Sequence, residues 1–146
     1  MHWAMGTRDA GPIADFVDLF GGCHGGPDRK YKVLDAKVSV AKHPIATGLK
    51  DFDVKEEFYY RLKFAKGESV EPVLRVAIDG EEHTVAWAYR RPGGGRAFGF
   101  SGLHFHDNWK REEYRRLVAH GVLWALDVPV PEDLNVAVGE EVLRLK

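Results

Sequence analysis

Two histidines separated by one residue, His104 and His106, are the first candidates for chemistry in this sequence. An extended backbone places residues i and i+2 on the same face, so both imidazoles would point the same way. Such a pair can bind a metal ion or hydrogen-bond to the hydroxyl groups of a ligand. A metal site needs a third or fourth ligand from elsewhere in the chain, and His24 and Glu57 are available for this. Because bare His-x-His pairs are common, hydrogen bonding to a ligand is the preferred interpretation.

A carboxylate and a phenol, Glu57 and Tyr59, alternate in the same way along a predicted strand. Together they could hold ligand hydroxyls or take part in proton transfer, and the alternative is a solvated strand face.

Trp109 could stack on a ligand ring or pack at the entrance of a helix. Cys23, the single cysteine, is expected to be a small packing residue rather than a nucleophile. The sequence leaves both interpretations of Glu57, Tyr59 and Trp109 open.

Hydrophobic periodicity predicts which elements carry these side chains. Apolar residues three to four positions apart predict a helix from Ile13 to Phe20 and a longer one from Trp109 to Leu126, capped by Asp107 or Asn108. Asp79-Gly80 predicts the turn of a β-hairpin. The other predicted elements are strands at 31–40, 56–64, 70–78, 82–90 and 96–101, a helical turn at 43–49, a strand end at 1–6, and a weak strand or docked extension at 131–146. Strands outnumber helices, which by itself suggests an α+β domain whose sheet lacks helical cover.

The bulk composition limits the class of protein. The chain has 146 residues, enough for one domain with a core but too few for two. Its net charge is −1 with acids and bases interspersed, so neither nucleic acid nor an anionic membrane surface is expected as a partner. No apolar run is long enough to cross a bilayer. A single cysteine excludes an internal disulfide, and no export signal is visible.

An ordered series of short motifs runs along nearly the whole chain. It consists of His2-Trp3-Ala4, Gly21-Gly22-Cys23-His24-Gly25, His43-Pro44-Ile45-Ala46-Thr47-Gly48-Leu49, Asp53-Val54-Lys55-Glu56-Glu57-Phe58-Tyr59-Tyr60, Val85-Ala86-Trp87, Gly95-Arg96-Ala97-Phe98, Gly102-Leu103-His104 and Leu123-Trp124-Ala125. With these motifs in this order, the chain resembles the trehalose-utilisation, or ThuA-like, family of the class I glutamine-amidotransferase-like superfamily. Family members have additional strands and helices before the His-Trp-Ala position. We therefore expect a single domain over 1–146 that is an N-terminally truncated member, with an open sheet edge that favours self-association into a homo-oligomer.

The resemblance implies an α/β fold, namely the C-terminal part of a flavodoxin-like three-layer domain with a mixed sheet and an antiparallel hairpin. It also implies a role in carbohydrate use, with trehalose-related or keto sugars as substrates. His2 matches the turn where amidotransferase relatives carry a nucleophilic cysteine, so glutaminase activity is not expected. The alternative for His2 is a surface residue at a frayed terminus. No cofactor is expected, although a divalent metal stays open.

The expected roles of individual residues follow from this resemblance and from their chemistry. The expected catalytic residues are His104, His106, Glu57 and His2, and the expected substrate-binding residues are His24, Tyr59 and Trp109. His104 is the expected base, assisted by Glu57 or His106, because histidine titrates near neutral pH. A small carbohydrate is the expected partner, and the enzyme class, isomerase or hydrolase, stays open. The alternatives are a non-catalytic carbohydrate-binding or structural domain and a metal-dependent hydrolase. The compartment stays open: we expect the cytoplasm for the chain as it stands and export if a leader is missing upstream.

Overall fold

The computed structural model describes residues 1–2, 5–67 and 69–144. In chain order its elements are β1 (Gly6–Thr7), α1 (Ile13–Phe20), β2 (Gly22–Gly25), β3 (Lys30–Val40), β4 (Phe52–Tyr60), β5 (Lys63–Phe64), β6 (Val70–Ile78), β7 (Glu81–Arg90), β8 (Arg96–Phe100), α2 (Glu112–Ala125) and α3 (Glu140–Leu143). Two short 3₁₀ segments, Pro44–Ala46 and His106–Lys110, complete the described elements.

Two sheets organise these strands. The larger sheet is antiparallel, in the order β4-β3-β6-β7-β8, and the smaller one has the order β1-β2-β5. Within the smaller sheet β1 pairs with β2 in parallel and β2 pairs with β5 in antiparallel fashion. Asp79 and Gly80 adopt φ values of 55° and 83° between β6 and β7. These left-handed conformations are those of a type I′ hairpin turn, so the predicted hairpin is confirmed.

Strand alternation divides the interior into two clusters on opposite faces of the larger sheet. Along β4, the side chains of Phe52, Val54, Phe58 and Tyr60 belong to the main cluster, which also holds Tyr114, Leu117 and Trp124 of α2. Tyr59 points the other way and joins a smaller cluster with Met5, Trp87, Tyr89 and Ala97. The indole nitrogen of Trp87 donates to the Phe20 carbonyl at the end of α1, at 2.8 Å. Thus α2 covers one face of the sheet, whereas the small sheet and α1 cover part of the other.

The structure bears out the α/β class and refines several boundaries. The first helix lies where the periodicity predicts it, and it ends at Gly21, whose φ of 76° favours glycine. The long helix begins at Glu112 rather than Trp109, and its cap residue is Arg111, so neither Asp107 nor Asn108 caps it. The predicted strand 56–64 begins earlier, at Phe52, and is interrupted after Tyr60.

Three further expectations have different outcomes. The tail contains the short helix α3 where a weak strand or an extension was expected, and its residues 145–146 lie outside the described part. The segment 1–6 leads into β1, but Trp3 and Ala4 also lie outside the described residues. Among the described strands only β1 and β2 pair in parallel, so the flavodoxin-like layering stays a prediction.

No helix in the described part of the chain is long and apolar enough to cross a membrane.

Candidate functional site

Three side chains from distant parts of the chain meet on the β1 side of the larger sheet. His2 lies near the N-terminus, Glu57 lies in β4 and His104 follows β8. The His2 Nε2 and His104 Nδ1 atoms are 3.1 Å apart. The Glu57 Oε1 atom lies 3.4 Å from His2 Nε2 and 3.3 Å from His104 Nδ1. Three potential ligand atoms therefore form a nearly equilateral triangle.

A buried carboxylate from the neighbouring position holds the loop that carries His104. Glu56 is fully buried, and it accepts hydrogen bonds from the backbone N–H groups of Leu103, His104 and Phe105 at 2.9, 3.1 and 3.3 Å. It also accepts one from Asn108 Nδ2 at 3.0 Å. Leu103 has a φ of 75°, a conformation that is unfavourable for a residue with a side chain. The Glu56 carboxylate thus stabilises a strained turn and fixes where His104 lies.

The tautomer of His2 follows from its backbone contact. Its Nδ1 lies 2.7 Å from the Ser101 carbonyl oxygen, which can only accept, so Nδ1 carries the hydrogen. In the neutral ring the lone pair is therefore on Nε2, the atom that faces Glu57 and His104. Burial lowers the pKa of His2, against the opposing effect of the Ser101 contact. The neutral imidazole is thus favoured at neutral pH.

The rings of His2 and His24 stack on Tyr59, with centroid distances of 4.1 and 3.8 Å. His24 is placed by the parallel pairing of β2 with β1, in which its N–H donates to the Met5 carbonyl at 2.8 Å. Gly6 lies opposite His24 with no room for a side chain, because a Cβ there would collide with the His24 carbonyl oxygen. Burial lowers the pKa of His24 to about 4, so this ring is neutral at neutral pH.

A cavity of about 440 Å³ opens beside these groups. Its lining combines the triangle and the ring stack with a rim of further residues: His2, Gly6, Thr7, Arg8, His24, Arg29, Tyr31, Glu57, Tyr59 and His104. The volume lies within the range of small-molecule sites. The cavity contains five of the seven residues singled out from the sequence.

The other two candidates lie elsewhere. His106 begins the 3₁₀ segment after the loop, so the backbone at 104–106 is not the extended one that would align it with His104. Trp109 packs against the main hydrophobic cluster, and both residues line a different cavity beside α2. In the structure Trp109 therefore fills the role of a packing residue at the helix entrance.

Sequence reasoning missed several residues of the site. Glu56 looks like one more charged residue in a charged strand, and nothing in the sequence indicates that its carboxylate is enclosed. Tyr31 lies in the predicted strand 31–40, but its place opposite Tyr59 depends on the pairing of β3 with β4, which only the structure shows.

Cys23 is fully buried and its pKa is raised by burial, as expected of a packing residue.

The triangle has the dimensions of a metal-binding site. Nitrogen and oxygen ligands lie about 2.0–2.2 Å from zinc, and at tetrahedral angles this places ligand atoms about 3.3–3.6 Å apart. Two of the observed separations, 3.3 and 3.4 Å, lie at the lower end of this range, and the third, 3.1 Å, lies slightly below it. His2, Glu57 and His104 could together hold a divalent ion, which would supply Lewis acidity beside the cavity that they line. The same groups could also share and transfer protons.

Comparison with known proteins identifies the family. The family model described as ThuA, trehalose utilisation, matches residues 1–125, which include every residue of the cavity. No curated protein and no solved structure matches the chain. The match bears out the resemblance carried by the ordered motifs and is consistent with the superfamily that they imply. The chain therefore belongs to the ThuA trehalose-utilisation family.

Proposed function

We propose that this chain is a metal-dependent carbohydrate-processing enzyme whose active site is the cavity around His2, Glu57 and His104. Family membership supports a role in carbohydrate utilisation, and we assign trehalose-related and keto sugars as the substrate class. The observation that carries the proposal is the triangle of ligand atoms, with separations of 3.1 to 3.4 Å.

The surroundings of His2 support a metal rather than a simple hydrogen-bonded cluster. Metal-bound histidines usually donate their second ring nitrogen to a carbonyl or carboxylate, which fixes the tautomer. His2 does this through the Ser101 carbonyl at 2.7 Å. The Glu56 carboxylate plays a comparable part for His104 by holding its backbone. Both imidazoles are therefore positioned before any ion binds.

A divalent ion at this position would act as a Lewis acid. It would polarise a sugar carbonyl or lower the pKa of a bound water toward neutrality. The first effect suits isomerisation of a keto sugar, and the second suits hydrolysis of a glycosidic bond. Tyr59 and His24 lie beside the triangle, where they can contact sugar hydroxyls.

Proton transfer without a metal is the second candidate. It is favoured by the 3.1 Å contact between His2 Nε2 and His104 Nδ1 and by the adjacent Glu57 carboxylate. In this mechanism His104 removes the proton next to a sugar carbonyl and Glu57 stabilises the imidazolium that forms.

Metal binding and turnover together separate these candidates. The full chain is stripped with a chelator, titrated with zinc or manganese, and assayed on trehalose and keto-trehalose. Glu57→Gln and His104→Ala should each weaken metal affinity at least about 100-fold, because each removes a ligand. His106→Ala is the matched control and should leave affinity and turnover unchanged.

Each outcome has a clear meaning. Stoichiometric metal, chelator-sensitive turnover and loss of both in the two ligand variants would support the proposal. Turnover that resists the chelator but is lost in His104→Ala would favour metal-free proton transfer. Unchanged turnover in His104→Ala would overturn both mechanisms at this site.

A further inference from the structure

The rim of the active-site cavity is cationic. Arg8 and Arg29 both line it, together with the three residues of the triangle. Arg8 is exposed and Arg29 is partly buried. The one carboxylate in the lining, Glu57, faces His2 and His104. The lining therefore carries two guanidinium charges and one carboxylate charge, and a bound cation would add further positive charge.

No acidic side chain in the described part of the chain pairs with either guanidinium. Within the described residues, no ion pair involves Arg8 or Arg29, and the polar contact of Arg29 is with the Gly26 carbonyl, at 3.2 Å. Asp28, the acid next to Arg29 in sequence, pairs instead with Lys63 at 2.8 Å. Arginines on a protein surface often pair with carboxylates, so two that remain without one at the mouth of a cavity suggest an anionic ligand.

Arg29 shares the cavity wall with the ring stack. The rings of His24 and Tyr59 lie 3.8 Å apart, and both residues line the cavity together with Arg29. A ligand that lies against the rings is therefore within the part of the cavity that Arg29 also lines.

An exposed aromatic ring completes the rim. Tyr31 is 63% exposed although it is one of the larger apolar side chains, and it lies opposite Tyr59 in the pairing of β3 with β4. Aromatic faces pack well against the C–H groups of sugars. Tyr31 therefore offers the stacking surface that was expected of Trp109.

We propose that, within the class of trehalose-related and keto sugars, the substrate of this site bears an anionic group, a phosphate ester or a carboxylate, which Arg8 and Arg29 bind while Tyr31 covers the sugar ring. The inference rests on the proposed function because it assigns the same cavity to carbohydrate. The planar fork of arginine matches the paired oxygens of phosphate and carboxylate. The three residues would select charged sugars over neutral ones.

Calorimetric titration of the full chain tests this selectivity. The chain is kept in chelator so that an anion cannot bind to a metal, and the ligands are glucose, glucose 6-phosphate, glucuronate, trehalose 6-phosphate and inorganic phosphate. We expect the charged sugars to bind at least about tenfold more tightly than glucose, since hydrogen bonds between charged groups are the stronger ones. The order of the phosphate and carboxylate sugars then identifies which anion the site prefers.

Variants assign the selectivity to individual residues. Arg8→Gln and Arg29→Gln should each weaken binding of the preferred charged sugar roughly tenfold and leave glucose binding unchanged. Tyr31→Ala should weaken binding of charged and neutral sugars by a similar factor. Lys50→Gln, which removes the same charge from an exposed position outside this cavity, is the matched control and should have no effect.

Three results would overturn the proposal. These are equal affinity for glucose and its charged derivatives, charged-sugar binding that survives both arginine substitutions, and binding of inorganic phosphate as tight as that of the phosphate esters. Because metal is absent from this assay, failure of the metal proposal would not produce any of them. Conversely, arginine-dependent sugar binding in a chain that never binds metal would support this inference and overturn the metal proposal.

Discussion

Replacement of Glu56 by glutamine tests how the loop carrying His104 is held. The substitution keeps the size and shape of the side chain but replaces one oxygen by an N–H donor. One oxygen, Oε1, accepts from the backbone N–H groups of Glu57, His104 and Phe105, and the other, Oε2, accepts from the Leu103 N–H and from Asn108 Nδ2. Whichever oxygen is replaced, at least two donors lose their acceptor.

The size of the effect follows from this count. A buried donor without an acceptor costs about 1–3 kcal/mol, so two donors cost about 2–6 kcal/mol. Removing a fully buried charge offsets part of this loss. We expect Glu56→Gln to lower the free energy of unfolding by about 2–4 kcal/mol. Domains of this kind are typically stable by about 5–15 kcal/mol, so the variant should still fold.

Urea unfolding followed by tryptophan fluorescence measures this change. Glu57→Gln is the matched control, because it removes the next carboxylate in the same strand but none of the bonds to the loop. It should change the free energy of unfolding by less than about 1 kcal/mol while weakening metal affinity at least about 100-fold. Glu56→Gln should in addition weaken metal affinity through the displaced loop. A Glu56→Gln chain as stable as the native one, or a Glu57→Gln chain destabilised to the same extent, would show that the Glu56 carboxylate does not hold the loop.

Two further predictions concern the stability of the whole fold. Burial lowers the pKa values of His24, His43 and His120, so the unfolded chain binds protons more readily below pH 6.5 and stability should fall with falling pH. With a pKa of about 4 in place of 6.5, His24 alone should lower the free energy of unfolding by about 2 kcal/mol between pH 7 and pH 5. Urea unfolding in the presence of chelator measures this change. A free energy of unfolding that does not fall over this range would contradict the prediction. Gly121→Ala in α2 should destabilise by about 1–3 kcal/mol although alanine is the better helix former, because the new Cβ would collide with the Phe98 ring. Gly11→Ala, where a Cβ would meet nothing within 4 Å, is its control in thermal unfolding, and a stabilised Gly121→Ala chain would show that the helix can shift away.

Local signals in the sequence predicted the elements that local chemistry determines. The hairpin follows from Asp79-Gly80, since both residues must adopt positive φ and these two residue types tolerate it. Glu57 and Tyr59 share a face because strand alternation is fixed by the backbone. The meeting of His2, His24 and His104 in one cavity was expected from the resemblance to a family rather than from any local pattern.

The remaining features depend on contacts between distant segments. The larger sheet brings β3 between β4 and β6, an order that no local pattern specifies. His106 and His104 line different cavities, because a 3₁₀ segment begins at His106 where an extended chain was expected. Because Glu56 is charged, its side chain would be expected to be exposed to solvent. The distant loop at 103–108 instead encloses the carboxylate.

Adjacent glutamates on opposite faces of β4 make this strand sensitive to its alignment. Glu56 anchors the loop on one side of the sheet, and Glu57 belongs to the triangle on the other. A shift of β4 by one residue against β3 would reverse both orientations at once. Such a misfolded chain could retain all its backbone pairing yet lose both the anchored loop and the carboxylate that we propose as a metal ligand. Binding of a divalent cation would then report on correct strand alignment, which spectroscopic measures of β content could not distinguish.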